Sequence, residues 1–280
     1  MDKYCVFGHP IEHSKSPWIH AQFAKLTGQS LHYDKTLVPL DGFAQTIRQF
    51  QTSGGKGCNV TLPFKTEAAA LATRCSPRVA LAQACNTLKF EGDEIYGDNT
   101  DGLGLVTDLV RNAGCQLKGQ RILLIGAGGA AAGLLGPLMS EHPRAIWVAN
   151  RTLDNAESLV AQHAALAQAE QVDCQAFGLN HEALKSQSFD VVINASSSSL
   201  HQGAIPVPDS VLSAHSLACD LMYGPSAQAF MQWAQAKGAV ARDGLGMLVE
   251  QAAESFNIWR GVRPPTEQVL SDLRALLAQP

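Results

Sequence analysis

The stretch "RILLIGAGGAAAG" (121–133) constrains the fold more than any other in the chain. An unbroken apolar run, Ile122 to Ile125, stops at Gly126, and glycines recur at 128 and 129 before an alanine-rich segment. A strand with no polar alternation is buried on both faces, and that requires helices above and below the sheet. The glycines have separate uses. Gly126 permits a tight turn, and Gly128 lets the backbone approach a pyrophosphate. The helix that follows offers free N–H groups and a partial positive charge to an anion. Ala131 takes the third fingerprint position. The stretch therefore reads as a dinucleotide-binding turn, in the strand–turn–helix context such a turn needs.

About twenty residues on, a second strand "AIWVA" ends in Asn150-Arg151-Thr152. NAD binders place an acid there for the ribose 2′-hydroxyl, whereas an arginine suits a 2′-phosphate. The expected cofactor is NADP.

The rest of the chain repeats the alternation of strands and helices, so the fold class is α/β with a mainly parallel sheet. Strands are expected at 4–8, 31–38, 57–61, 85–90, 94–98, 121–125, 145–149, 172–177, 189–194 and 216–220. "KFEGDEIYG" reads as a hairpin and makes the first half mixed. Ser16-Pro17 has the form of an N-cap and first helical residue, with Gly28 closing that helix. Thr152 is expected to cap a long helix to about 169, Thr266 to cap the last one, and Pro137 to kink its helix. "GDNTDGLG" and "DGLG" mark boundaries. They separate a substrate-binding and catalytic domain, 1–101 plus 245–280, from a Rossmann-type dinucleotide-binding domain, 102–244. "SSSSLHQG" (196–203) reads as a loop.

Composition excludes other classes. The net charge is −4, hydrophobic residues make up 46%, and no lysine/arginine run occurs. Nothing favours nucleic acid or a membrane surface as a partner. No stretch approaches the ~20 apolar residues that span a bilayer, and the N-terminus lacks a leader pattern. The seven cysteines are scattered and odd in number, as expected of reduced thiols in a cytoplasmic protein. "HPIEH" (9–13) matches a zinc-peptidase string, but that chemistry needs a helix and Pro10 follows a strand, so no metal is expected.

The remaining polar residues fall in short clusters. In "GCNVTLPFK" (57–65), Asn59 and Thr61 alternate with apolar residues, and Lys65 follows Pro63. "HSKSP" places Ser14 and Ser16 at a helix start, where hydroxyls and a helix end suit a carboxylate or phosphate. "GDNTDGLG" carries Asp98 and Asp101 in a glycine-flanked turn. "DGLGMLVEQAA" opens a helix with glycines and carries Gln251.

Taken in order, "HSKSP", "GCNVTLPFK", "CNTL", "GDNTDGLG", "GAGGA", "NRT", "DLMY" and "DGLGMLVEQAA" resemble the shikimate dehydrogenase family over essentially the whole length. The resemblance implies Lys65 as catalytic residue with Asp101 as its partner. It implies Ser14, Ser16 and Tyr223 at the substrate carboxylate, and Asn59, Thr61, Asn86, Asp101 and Gln251 at the ring hydroxyls. For the cofactor it implies Gly126, Ala127, Gly128, Gly129 and Ala130 at the pyrophosphate and Asn150, Arg151 and Thr152 at the adenosine phosphate. Ala195, Leu221 and Gly244 would line the nicotinamide end.

A lysine that shuttles between ammonium and amine can protonate the alkoxide left by hydride addition, or it can serve mainly as an electrostatic anchor. The implied activity is reversible, NADPH-dependent reduction of 3-dehydroshikimate to shikimate, by a monomer or homodimer. The alternatives are a quinate/shikimate dehydrogenase relative and a non-catalytic NADP-binding sensor. The chain departs from the family pattern at His9, Ala21, Ala132 and Asn155. The last two remove arginines often found near the cofactor, so NADP preference rests mostly on Arg151.

Overall fold

The computed structural model describes residues 1–196 and 205–278, so most of the serine-rich loop lies outside the described residues. The chain divides into two compact units, Met1–Gly104 with Leu248–Pro280, and Leu105–Met247. Each unit contains a six-stranded sheet among the described residues.

The first sheet is built from β1 (Asp2–Gly8), β2 (Leu31–Leu37), β3 (Gly55–Val60), β4 (Arg74–Cys75), β5 (Thr87–Glu91) and β6 (Glu94–Asp98), in the order β2-β1-β3-β5-β6-β4. β1 pairs parallel with β2 and β3, while β5 pairs antiparallel with β3 and with β6, so the sheet is mixed as expected. Side chains alternate faces with a period of two. Cys5, Phe7, Cys58 and Val60 therefore share one face with Phe43, Ile47 and Phe64. Tyr4 and Val6 join Tyr33 and Trp259 in a second cluster. Asn59, between Cys58 and Val60, faces away from the first cluster, and its side-chain oxygen accepts from the Tyr33 hydroxyl. Gly57 is required there, because a Cβ would stand 2.6 Å from Trp259 Nε1 and from the Leu88 carbonyl.

The second sheet contains β7 (Arg121–Ile125), β8 (Ala145–Asn150), β9 (Asp173–Gly178), β10 (Val191–Asn194), β11 (Leu217–Asp220) and β12 (Val240–Arg242). All its pairings are parallel, in the order β12-β11-β10-β7-β8-β9. The order reverses between β7 and β10. In an open parallel sheet that reversal opens a crevice at the carboxyl ends of the strands.

Several local expectations need correction. Ser16 is the first residue of helix Ser16–Thr27, not its cap. Instead the Ser14 hydroxyl accepts the Ser16 N–H at 3.3 Å. Thr152 and Thr266 occupy N-cap positions, but neither side chain caps its helix, and Thr266 donates to Glu250 at 2.7 Å. The long helix to 169 is two helices, Leu153–Gln162 and Ala164–Ala169. At the break, the His163 ring donates to the Leu159 carbonyl at 2.9 Å, and the backbone N–H of His163 goes to Val160 instead. Strands β4 and β12 were not expected, and residues 85 and 86 lie ahead of β5 rather than within it. Helix Gly129–Met139 runs on through Pro137.

Candidate active site

In the first unit, Lys65 opens helix Lys65–Leu71 and Asp101 opens helix Asp101–Thr107. The Lys65 carbonyl accepts the Cys85 N–H at 2.8 Å, which fixes its backbone against the sheet. Lys65 Nζ donates to Asp101 Oδ2 at 2.5 Å, with the two side chains only 14% and 8% exposed. Asp101 Oδ1 accepts from Asn86 Nδ2 at 2.8 Å. A carboxylate with both oxygens bound in this way is an oriented anion, and it holds the ammonium at a defined place.

Asn86 is the junction of the site. Its Oδ1 accepts from Thr87 Oγ1 and from the Thr100 N–H, each at 2.9 Å. Its Nδ2 faces Thr100 Oγ1, Asp101 Oδ1 and Gln251 Oε1, which are three acceptors for two protons. Gln251, on helix Leu245–Arg260, is the most distant of the three at 3.2 Å. The structure thus brings Lys65, Asp101, Asn86 and Gln251 together.

Thr61 follows β3, and its N–H is bonded to the Phe7 carbonyl. Ser14 and Ser16 lie at the start of their helix, Ser16 buried and Ser14 partly exposed. Asn59 is 7% exposed, and its amide nitrogen faces Asn86 O, Thr87 Oγ1 and Ser255 Oγ at 2.9–3.1 Å. Its polar groups are largely engaged inside the protein.

In the second unit the expected cofactor residues gather at the carboxyl ends of the strands. Gly126 has φ 108°, and a Cβ there would meet the Ala195 carbonyl group at 3.0 Å. Only glycine fits this turn. Among the described residues nothing lies within 4 Å of a Cβ built on Gly128 or Gly129. Ala195 N–H bonds to the Ile125 carbonyl at 2.8 Å, and Leu221 N–H to the Asn194 carbonyl at 3.1 Å. Gly244 packs so closely on the Leu221 backbone that a side chain would collide with it. Gly126, Ala195, Leu221 and Gly244 therefore follow one another along β7, β10, β11 and β12. The Asn150–Thr152 turn is tied by Asn150 Nδ2 to the Thr152 carbonyl at 2.8 Å, and Arg151 is exposed. Tyr223 follows β11, and burial raises the pKa of its phenol.

Sequence reasoning noted Asp98 only as a turn residue and passed over the other supports. Asp98 is buried and accepts from Ser76, Arg78 and Tyr96 just ahead of the Asn99–Asp101 turn. Asn99 Oδ1 accepts the Asp101 N–H, and Asn99 Nδ2 donates to Ala84. Asn194 and Asp220 pair at 2.9 Å under the ends of β10 and β11. Arg242 pairs with the fully buried Asp108 at 2.7 Å. An acid set in an apolar run was the available signal at Asp108 and Asp220.

A parallel sheet in this order with a glycine-rich turn at the reversal, on a chain that also carries a separate lysine–aspartate site, defines a two-unit dinucleotide-dependent dehydrogenase. Residues 6–88 match the shikimate dehydrogenase substrate binding domain, 108–202 the shikimate/quinate 5-dehydrogenase domain, and 244–274 the shikimate 5-dehydrogenase C-terminal domain. The chain is 60% identical over 277 residues to shikimate dehydrogenase (NADP(+)) of Acidovorax sp. strain JS42, covering 99% of this chain and 97% of that protein. Identity to the protein of that name from Dechloromonas aromatica is 52%, covering 99% and 98%. Among solved structures, an Ael1 enzyme from Pseudomonas putida superposes with TM-score 0.89 at 44% identity, over 98% of each chain. Shikimate 5-dehydrogenase of Thermus thermophilus, bound to NADP(H) and shikimate, gives 0.84 at 27%, over 98% and 99%. The chain belongs to the shikimate dehydrogenase family. Among the described residues no helix is long and apolar enough to cross a membrane.

Proposed function

We propose that this protein catalyses the reversible, NADPH-dependent reduction of 3-dehydroshikimate to shikimate in aromatic amino-acid biosynthesis. The 2.5 Å contact of Lys65 with Asp101, braced by Asn86, is the observation that carries the reading. NADPH, when bound, supplies the hydride that adds to the ketone carbon. The alkoxide oxygen then takes a proton from Lys65 Nζ. In the oxidative direction the Lys65 amine accepts that proton from the substrate hydroxyl. Asp101 keeps the ammonium aimed and accepts a hydrogen bond from the neighbouring ring hydroxyl, while Asn86 and Gln251 hold the ring's remaining hydroxyls.

Ser14, Ser16 and Tyr223 bind the substrate carboxylate, and Asn59 and Thr61 complete the ring site. The glycine turn fits a pyrophosphate because, among the described residues, nothing crowds Gly128 and Gly129 at a helix start. Arg151 would hold the 2′-phosphate, with Asn150 and Thr152 shaping its turn. Ala130 and Ala127 complete the pyrophosphate contact, and Ala195, Leu221 and Gly244 give the nicotinamide a flat wall.

NADPH formation from NADP, measured with shikimate and with quinate, tests the reading. Turnover strongly favouring shikimate is expected. Equal rates would point to a quinate/shikimate enzyme, and silence with both to a binding protein.

A further inference from the structure

Two of the three residues that the functional reading gives to the nicotinamide are preceded by an acid. Asp220 ends β11 ahead of Leu221, and Asp243 follows β12 ahead of Gly244. Asp220 is fully buried and stands opposite Asn194 in the register of β10 and β11. Its Oδ2 accepts from Asn194 Nδ2 at 2.9 Å, and its Oδ1 accepts the Met222 N–H at 2.8 Å. Donors at both oxygens favour the ionised form of the acid. The carboxylate thus lies between the ends of two strands, and the residues that follow those strands are Ala195 and Leu221. Backbone bonds join the same parts: Leu221 N–H to the Asn194 carbonyl at 3.1 Å, and Gly244 N–H to the Met222 carbonyl at 2.8 Å. Asp243 is half-buried, and its Oδ1 accepts the Leu245 N–H at 3.4 Å where helix Leu245–Arg260 begins.

The charge balance at this end of the sheet is negative. Cys219, buried one residue before Asp220, reports it. Burial raises the pKa of its thiol most, and Asp108, Asp220 and Asp243 each raise it further. Arg242 acts the other way, and it is committed to Asp108 at 2.7 Å. Such fields reach far inside a protein, where the effective dielectric constant is about 20 against about 80 in water. The nicotinamide ring is a cation when oxidised and neutral when reduced, while the phosphates and adenosine are the same in both forms. A fixed negative charge at the ring's end of the site therefore distinguishes the two. Its bonds to Asn194 and Met222 hold the carboxylate in place, so it needs no rearrangement to do so.

We propose that the Asp220 carboxylate, with Asp243 as a weaker second charge, is a specificity-determining group of the cofactor site: it selects the oxidised, cationic nicotinamide over the reduced, neutral one. The proposal rests on the cofactor reading above and adds to it a preference of the same site between the two redox forms.

The test is binding in the absence of substrate. Isothermal titration calorimetry gives the dissociation constants of oxidised NADP and of NADPH for the parent, Asp220→Asn and Asp243→Asn, and thermal midpoints confirm folding. Asn has the shape of Asp and keeps an oxygen for the Met222 N–H, and at 243 it remains a good helix cap. Asp220→Asn should weaken oxidised NADP by roughly tenfold and leave NADPH within about twofold, the effect of removing one full charge near a cationic ring. Asp243→Asn should move the ratio of the two constants in the same direction by about threefold. A parent-like ratio in Asp220→Asn would overturn the proposal, whether both forms bind as before or both bind more weakly. The second result would make the acid a prop for the strand ends alone. If Asp220→Asn does not fold, Asp243→Asn decides: a shifted ratio supports the proposal and a parent-like ratio overturns it. A parent that binds neither form would remove the cofactor reading and this proposal together. A parent that binds both, beside variants with its own ratio, removes this proposal alone.

Discussion

Asn86 donates its amide N–H to Asp101 Oδ1 at 2.8 Å, while its own oxygen is held by Thr87 and by the Thr100 backbone. The consequence is geometric. One carboxylate oxygen is committed to the protein, so the other is left to aim Lys65. The pair is therefore set by backbone-anchored neighbours rather than by the flexible lysine stem.

Arg151 is the one guanidinium of the Asn150–Thr152 turn, and position 155 offers only an amide. Arg151→Ala should lose ~1.5–3 kcal/mol of preference for NADP over NAD, roughly ten- to a hundredfold. Efficiency with NAD should barely change. Asn155→Arg should raise the preference above the parent's. The ratio of catalytic efficiencies with the two cofactors measures all three proteins, and a parent-like ratio in Arg151→Ala would place phosphate recognition elsewhere.

Ser14 and Ser16 exchange the roles their sequence suggests. The Ser14 hydroxyl, not that of Ser16, accepts a backbone N–H at the helix start. Ser14→Ala should therefore cost stability as a lost cap does, about 0.5–1 kcal/mol, given its long 3.3 Å bond. Ser16→Ala should cost no cap energy. Chemical denaturation of both variants decides between them, and a larger loss in Ser16→Ala would contradict the structure.

Much of this was legible in the sequence, and what escaped did so for physical reasons. Ile122–Ile125 and Ala145–Asn150 are apolar runs long enough to announce strands. Arg74–Cys75 and Val240–Arg242 have two and three residues, too few to show any period, and are defined by the neighbours they pair with. The break at His163 depends on a side chain folding back on its own helix, which periodicity does not reveal. Lys65 and Asp101 were readable because short motifs frame them. Ser255 and Tyr33 were not, since Ser255 meets Asn59 across 196 positions of sequence.

Two glycines of the same turn should fail differently. Gly126→Ala forces a positive φ and a contact with the Ala195 backbone, so a loss of ~1–3 kcal/mol of stability is expected. Gly128→Ala meets no described residue within 4 Å and has φ −89°, so the fold should be unaffected. Its methyl would stand over the helix start instead and raise KM for NADP. Thermal midpoints and KM values of the two variants separate these outcomes. A destabilised Gly128→Ala would contradict this reading.

His20 gives stability a pH dependence. The folded pKa of about 3 lies below the ordinary value of 6.5, and among the described residues no acid faces the ring, only Phe23, Tyr33, Phe256, Trp259 and Asn59. The unfolded chain therefore binds a proton near pH 6.5 that the folded protein refuses until about pH 3. Its contribution to stability is intact above pH 6.5 and falls as the medium is acidified, by about 1.4 kcal/mol per pH unit. His163 shifts in the same direction through burial. His20→Phe lacks the first effect, so its stability relative to the parent should rise by roughly 2 kcal/mol between pH 7 and pH 5. Parallel denaturation curves at the two pH values would show that the ring is not held neutral.

The account's central claim is that Lys65, aimed by Asp101, moves the proton. The most direct measurement is the initial rate of NADPH formation from shikimate and NADP by the parent and by Lys65→Ala, with cofactor binding measured on both. The claim requires an active parent, a variant slower by ~10²–10⁴-fold, and equal affinity for NADP in the two. A Lys65→Ala protein that binds NADP and oxidises shikimate at near the parent's rate would contradict it.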